Sequence, residues 1–138
     1  MWTYIQSDGR LLDRRGEVVA QGYAGLGVGK NNPEMQTVHN VGPLPCGIYG
    51  IEAPVDTTLH GPYVLWFIPD PENEMFGRSK FGIHGDSLVH PGSASDGCII
   101  MPPNVRHQIW DSGDHLIRVI SSLPDNFEAV EEAATGEN

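Results

Sequence analysis

The amino-acid sequence predicts a mainly β fold in a single domain with one helix. Seventeen glycines and eleven prolines among 138 residues favour short strands joined by turns over a helical bundle. Turn signals recur roughly every eight to twelve residues, which is typical of all-β domains. Hydrophobic residues make up 39% of the chain, which is enough for the core of one domain of this size.

The first third of the chain reads as strands followed by a long loop. Residues 2–7 alternate into a turn, and residues 11–24 form a predicted hairpin that bends near Arg15 and Gly16. Residues 25–47 show no hydrophobic periodicity. Loops of that length in compact domains are usually functional or mobile.

The rest of the chain supplies the remaining strands and the helix. Apolar runs predict buried strands at 47–55 and 62–70, followed by strands at 80–85 and 98–101. A proline at an early helix position and Gly113 as a stop signal predict one helix of about ten residues within 102–113. The last apolar run, residues 115–122, is expected to close the sheet.

Charge and hydropathy exclude two classes of partner. Eighteen acidic against eight basic residues give a net charge of −10, which argues against nucleic acid. No apolar run approaches the roughly 18 residues of a membrane span, so membrane insertion is not expected. Residues 125–138 carry five acids and no base. We expect them to form a flexible acidic tail behind a catalytic domain at 1–124.

A histidine and a cysteine with neighbouring glycines are the candidate catalytic pair. A thiol attacks a carbonyl as thiolate, so it needs a base or a lowered pKa. His84 ends an apolar strand and is followed by Gly85, while Cys98 begins the next strand after Gly97. Neighbouring strands would bring the ring and the sulfur together. The N–H groups of Gly97 and Cys98 could stabilise an oxyanion.

Other interpretations of these residues remain open from the sequence. Cys98 could be a small core residue, as we expect for Cys46, and the two could form a disulfide. His84, Asp86 and His90 could instead bind a metal, and His90 could line a pocket. The other histidines are expected to be surface or hydrogen-bonded residues: His39, His60, His107 and His115.

Residues 81–101 resemble the L,D-transpeptidase (YkuD-type) catalytic motif, in which a histidine-glycine pair precedes a Ser/Thr-x-Gly-Cys element. The matching pieces are Ile83-His84-Gly85 and Ser95-Asp96-Gly97-Cys98. The resemblance is closer to the shorter L,D-transpeptidase-like family that includes type VI secretion effectors acting on peptidoglycan. In that family a start such as WTY…G, then GYAGLGVGKNNP, GPLPCGIYGI and the histidine-cysteine segment, occur in this order, so the resemblance covers roughly residues 2–120.

This resemblance implies a fold, a reaction and roles for individual residues. The fold would be a β-sandwich or sheet with one packed helix. The reaction would cleave the L,D-amide between meso-diaminopimelate and D-alanine of tetrapeptide stems, without a cofactor or metal. Cys98 would attack, and His84 would take and return the proton. Ser95 or Asp86 would orient His84.

Two departures from the motif concern substrate binding. Housekeeping L,D-transpeptidases usually carry histidine where this chain has Asp96, and arginine or asparagine where it has Ile100. An arginine there would hold a substrate carboxylate. Gly85 and Asp96 are predicted to contact substrate, and three cations could supply the missing charge: Lys30, Arg78 and Lys80.

The same resemblance sets expectations about location and partners. The start MWTYIQSDGR lacks the features of a signal peptide, so we expect synthesis in the cytoplasm. Delivery by a secretion machine, or release by a phage at lysis, would place the protein in the periplasm of a target cell. The expected partners are peptidoglycan stems, an immunity protein and secretion machinery. The competing hypotheses are a metal-dependent D-alanyl peptidase and an inactive wall-binding module.

Overall fold

The structure is a computed structural model that describes residues 1–124. Ten strands and one helix follow in chain order: β1 Trp2–Ile5, β2 Arg10–Leu12, β3 Val18–Gln21, β4 Tyr23–Ala24, β5 Gly47–Ile51, β6 Val55–Thr57, β7 Gly61–Pro69, β8 Gly82–His84, β9 Ile99–Ile100, α1 Pro103–Asp111 and β10 Leu116–Ile120. Two 3₁₀ turns, Gly27–Gly29 and Pro33–Met35, interrupt the long loop. The mainly β fold with one helix is therefore confirmed. The tail predicted at 125–138 lies outside the described residues.

The strands form one ten-stranded sheet with the order β3-β2-β1-β10-β5-β7-β8-β9-β4, and β6 pairs with β7. Most pairs are antiparallel, whereas β1–β10 and β8–β9 are parallel. The prediction that the last strand closes the sheet is wrong, because β10 lies between β1 and β5. Its residues 117–120 pair with β1 and its residues 116–119 pair with β5, so both edges of the strand are hydrogen-bonded.

The two strands predicted to be buried are buried on one face only. In β5, Tyr49 is fully buried but Ile48 is 39% exposed; in β7, Leu65 is fully buried but Ile68 is 56% exposed. This alternation is normal for an antiparallel sheet with one face on the core. The strand predicted over 47–55 is also broken between β5 and β6.

The helix α1 packs against β7 and β8, which positions it behind the candidate site. Pro103 occupies its first turn, Ser112 caps its C-terminal end, and Gly113 follows with a left-handed φ of 79°. Val105 and Ile109 bury their side chains in the core. Among residues 1–124, no helix combines the length and hydropathy that crossing a bilayer requires.

Candidate active site

Two neighbouring parallel strands place His84 and Cys98 on the same side of the sheet. Ile83 in β8 pairs with Ile99 in β9, so His84 follows that pair and Cys98 precedes it. Side chains alternate between faces, and Ile83 and Ile99 face the core with no exposure. Parallel neighbours need a crossover of about a dozen residues, which residues 85–97 supply. The predicted adjacency of the two strands is confirmed.

Gly97 is required at the turn that presents Cys98. Its φ is +145°, a conformation that residues with a Cβ rarely adopt. A Cβ at this position would lie 2.7 Å from Nη2 of Arg78 and 2.7 Å from Cε1 of Phe81. The absence of a side chain therefore allows the turn to pack against the Arg78 guanidinium directly before the cysteine.

His84 and Cys98 line one cavity of about 320 Å³, within the usual range for small-ligand sites. Cationic and titratable side chains dominate its wall, although the whole chain carries a net charge of −10. The lining residues are His39, Asn40, His60, Gly77, Arg78, Ser79, Lys80, Phe81, His84, Ala94, Asp96 and Cys98. The charged residues of the wall are two cations, Arg78 and Lys80, and one carboxylate, Asp96.

The Cys98 thiol is protonated in this environment. Its residue is 8% exposed, and Sγ donates to the carbonyl oxygen of Lys80 at 3.7 Å. Burial raises the pKa of Cys98 to about 11; the negative charge of Asp96 acts in the same direction, while the N–H of Gly82 and the charge of Arg78 oppose it. At neutral pH the group is a thiol and not a thiolate.

The His84 ring is held by the backbone that follows it. Nδ1 lies 2.9 Å from the carbonyl oxygen of Gly85. A carbonyl oxygen can only accept, so Nδ1 carries the proton and Nε2 is left as the basic nitrogen. Burial lowers the pKa of His84, and His60 and Arg106 lower it further, against the opposing effects of Gly85 and Asp86. The ring is therefore neutral at pH 7.

His60, predicted to be a surface or hydrogen-bonded histidine, belongs to this site. Its ring centroid lies 4.4 Å from that of His84, and the rings of His60 and Trp66 form a T-shaped pair with centroids 5.5 Å apart. The pair His60-Gly61 repeats the histidine-glycine pattern of residues 84–85, which is the one sequence signal that could have identified it. His39 also lines the cavity, where it bonds the carbonyl of Phe76 at 3.0 Å.

The hydroxyl of Ser95 bonds backbone groups of the turn before Cys98. Within residues 1–124, none of its hydrogen bonds is to His84. Ser95 is fully buried and is absent from the cavity wall. Its Oγ accepts from the N–H of Gly25 at 2.9 Å and of Gly97 at 3.0 Å, and donates to the carbonyl of Cys98 at 2.5 Å. The N–H of Gly97, predicted as an oxyanion donor, is thus engaged by Ser95.

Ser95→Ala is expected to lower the free energy of unfolding by about 2–4 kcal/mol, because it leaves buried N–H and C=O groups without a partner. Chemical denaturation measures this loss. Ser93→Ala is the matched control, since Ser93 is exposed and its Oγ makes one bond, to the carbonyl of His90. Unchanged stability of Ser95→Ala with lost activity would favour the catalytic role predicted from the sequence.

Asp86 binds the loop that connects β8 and β9. Oδ1 accepts from the hydroxyl of Tyr23 at 2.7 Å, and the carboxylate also accepts from the N–H groups of Ser87 and Gly92. Burial alone would raise the pKa of Asp86, but these bonds and the nearby charge of Lys30 lower it. Asp86 thus acts on His84 through its charge; the group bonded to Nδ1 is the carbonyl of Gly85.

The guanidinium of Arg78 is already used by the backbone. Arg78 as a whole is 6% exposed, and its Nη1 and Nη2 donate to four carbonyl oxygens: those of Gln36, Gly42, Pro43 and Asp96. These bonds connect the long loop to the turn before Cys98. Arg78 therefore holds a positive charge near the sulfur, with both terminal nitrogens committed.

The remaining candidates lie apart from the thiol and the imidazole. Cys46 and Cys98 are both free thiols, and Sγ of Cys46 donates to Gln6 at 3.4 Å. His90 is exposed and is absent from the cavity wall. In the part of the chain that the structure describes, no three His, Cys, Asp or Glu residues form a metal-binding group. The triad of the metal hypothesis, His84, Asp86 and His90, is therefore not assembled.

Comparison with known proteins supplies one match. A family model described as the Tlde1 domain matches residues 18–119, well over half of the chain and including every residue that lines the cavity. No curated protein and no solved structure matches the chain.

Proposed function

Because this chain belongs to the Tlde1 domain family of type VI secretion L,D-transpeptidase-like effectors, we propose that it is a peptidoglycan-modifying cysteine enzyme. It cleaves the L,D-amide between meso-diaminopimelate and D-alanine of tetrapeptide stems. The observation that carries this proposal is the cavity shared by the Cys98 thiol and the His84 imidazole. Family membership alone would leave the reaction unspecified.

In the proposed reaction the thiol is activated only when substrate is present. Sγ turns from the Lys80 carbonyl towards Nε2 of His84 and gives up its proton as it attacks the scissile carbonyl carbon. A neutral thiol beside a neutral imidazole requires this general-base step. The C–N bond then breaks, His84 returns the proton to the amine of D-alanine, and the diaminopimelate carbonyl remains on Cys98 as a thioester.

The thioester has two fates, which define two activities. Attack by water, with His84 as base, regenerates the thiol and leaves a tripeptide stem, which is carboxypeptidase action. Attack by the amine of a free D-amino acid gives an exchanged tetrapeptide. The oxyanion of each tetrahedral intermediate is assigned to the N–H of Cys98, since the N–H of Gly97 bonds Ser95.

We place this activity in the periplasm of a target cell, where peptidoglycan is accessible. Secretion machinery would deliver the protein, and an immunity protein would protect the producing cell. The family to which the chain belongs supports delivery by a type VI system over release by a phage at lysis.

Mass analysis of muropeptides tests the proposed function. Purified tetrapeptide muropeptides incubated with the protein are expected to lose D-alanine, and added D-methionine is expected to yield the exchanged product. A thiol alkylating agent should stop both conversions, while EDTA should leave them intact. Binding to cell walls without any change in muropeptide mass would overturn the proposal in favour of a wall-binding module. Inhibition by EDTA would favour a metallopeptidase.

A further inference from the structure

We propose that Lys80 binds the free carboxylate of the substrate's terminal residue and so determines which stems are cleaved. This inference rests on the proposed function and names the residue that makes the enzyme specific for stems with a free terminal carboxylate. Only stems that end at the residue beside the scissile bond would carry a carboxylate there. Stems extended by a fifth residue, or joined to another stem through the terminal D-alanine, would lack it.

Lys80 lies directly against the nucleophile. Its carbonyl oxygen accepts from Sγ of Cys98 at 3.7 Å. Lys80 is also one of the residues that line the cavity. Its φ is +68°, in the left-handed region that a non-glycine residue seldom occupies. Asn40, on the same wall, also has a positive φ of 64°. Such conformations cluster at binding and catalytic sites, where the fold enforces them.

Elimination among the three cations supports Lys80. Both terminal nitrogens of Arg78 donate to backbone carbonyls, so a carboxylate could not engage them without breaking those bonds. The ammonium of Lys30 sits over the Tyr23 ring at 4.4 Å from its centroid, and Lys30 is absent from the cavity wall. Of the three cations, only Lys80 both lines the cavity and has a head group that is not engaged by backbone carbonyls or by an aromatic ring.

Charge in the cavity also favours this role. The ion pairs of residues 1–124 join the N-terminal amine to Asp114 and Arg10 to Asp8, so Lys80 has no ion-pair partner in that part of the chain. Asp96 lines the same cavity, but it lies beyond salt-bridge distance of the Lys80 ammonium. The charge of Lys80 is therefore available to an anionic ligand.

The covalent dimensions of the substrate match this position. In an attacking geometry the scissile carbonyl carbon lies about 3–3.5 Å from the sulfur. The terminal carboxylate carbon is three bonds beyond it, hence no more than about 4 Å further. The Lys80 carbonyl already contacts the sulfur. The flexible four-carbon side chain of the same residue can therefore bring its ammonium to the position of the substrate carboxylate.

Two synthetic tetrapeptide stems, one with a terminal carboxylate and one with a terminal carboxamide, test the assignment. The wild type is expected to prefer the carboxylate stem. Lys80→Gln is expected to lower kcat/KM for that stem about 10- to 100-fold, chiefly through KM, because a hydrogen bond to a charged group is lost. Its kcat/KM for the carboxamide should change little, so the preference should disappear.

Lys80→Arg and Lys30→Gln complete the test. Lys80→Arg should retain the preference for the carboxylate, and Lys30→Gln should match the wild type on both stems. A purely structural effect of Lys80→Gln would lower both substrates equally, and this result would overturn the assignment. So would an unchanged preference in an active Lys80→Gln enzyme. Failure of the wild type to cleave either stem would overturn the proposed function itself.

Discussion

Cys98→Ala is expected to abolish the release of D-alanine from tetrapeptide muropeptides, with kcat reduced by at least about 10³-fold. Removing the nucleophile of a covalent mechanism removes the thioester path entirely, and losses in comparable enzymes are larger still. Alanine deletes a single heavy atom and the long bond from Sγ to the Lys80 carbonyl, so it should leave the fold intact. Quantified D-alanine release, with circular dichroism to verify folding, measures the effect.

Cys46→Ala provides the matched control for the nucleophile. Cys46 is the other free thiol, it is half-buried, and it bonds Gln6 away from the cavity. Its substitution should leave kcat within about twofold of the wild type, and the Cys46→Ala protein, like the wild type, should still be inactivated by alkylation. If Cys98→Ala released D-alanine at the parental rate, the cysteine mechanism would be refuted.

His84→Asn is expected to lower kcat by about 10²- to 10⁴-fold, the range for loss of a general base. Asparagine can still donate to the carbonyl of Gly85, so the substitution removes the basic Nε2 while keeping the bond that Nδ1 makes. The thiol cannot compensate, because burial raises the pKa of Cys98 to about 11. Activity of the variant should therefore recover partly as the pH rises towards that value.

The pH profile of the wild type provides the corresponding check. Burial lowers the pKa of His84 below the ordinary imidazole value of 6.5, so the base should stay neutral, and activity persist, as the pH falls through 6.5. An acid limb of kcat/KM centred at or above 6.5 would contradict this arrangement.

His90→Asn separates the two catalytic hypotheses that involve His84. Under the cysteine mechanism the exposed His90 takes no part, and the variant should retain wild-type activity. Under the metal hypothesis, His90→Asn should lose as much activity as His84→Asn.

The arrangement of Arg78 explains why the long loop at 25–47 matters to the site. Its guanidinium donates to carbonyls of that loop and to the carbonyl of Asp96. Gly97 lacks the Cβ that would collide with the guanidinium. The loop, the guanidinium and the turn before Cys98 therefore form one contact. Backbone carbonyls of the loop thus bind a buried positive charge.

The sequence by itself located most of the strands, the helix and the candidate pair. Turn residues, a proline at the helix start and Gly113 at its end are local features, and local backbone preferences are directly readable from neighbouring residues. The same holds for the glycine at position 97, since a glycine directly before a cysteine indicates a sharp turn. For that reason the histidine-glycine and glycine-cysteine pairs could be identified before any coordinates.

Only the tertiary structure decided what surrounds that pair. His60 lies beside His84 although 24 positions separate them in the chain, Arg78 is occupied by carbonyls, and β10 lies inside the sheet rather than at its edge. The group bonded to the imidazole is a backbone carbonyl, which no side-chain pattern records. These contacts depend on how distant segments pack, and packing is set by the whole chain and not by any short stretch of it.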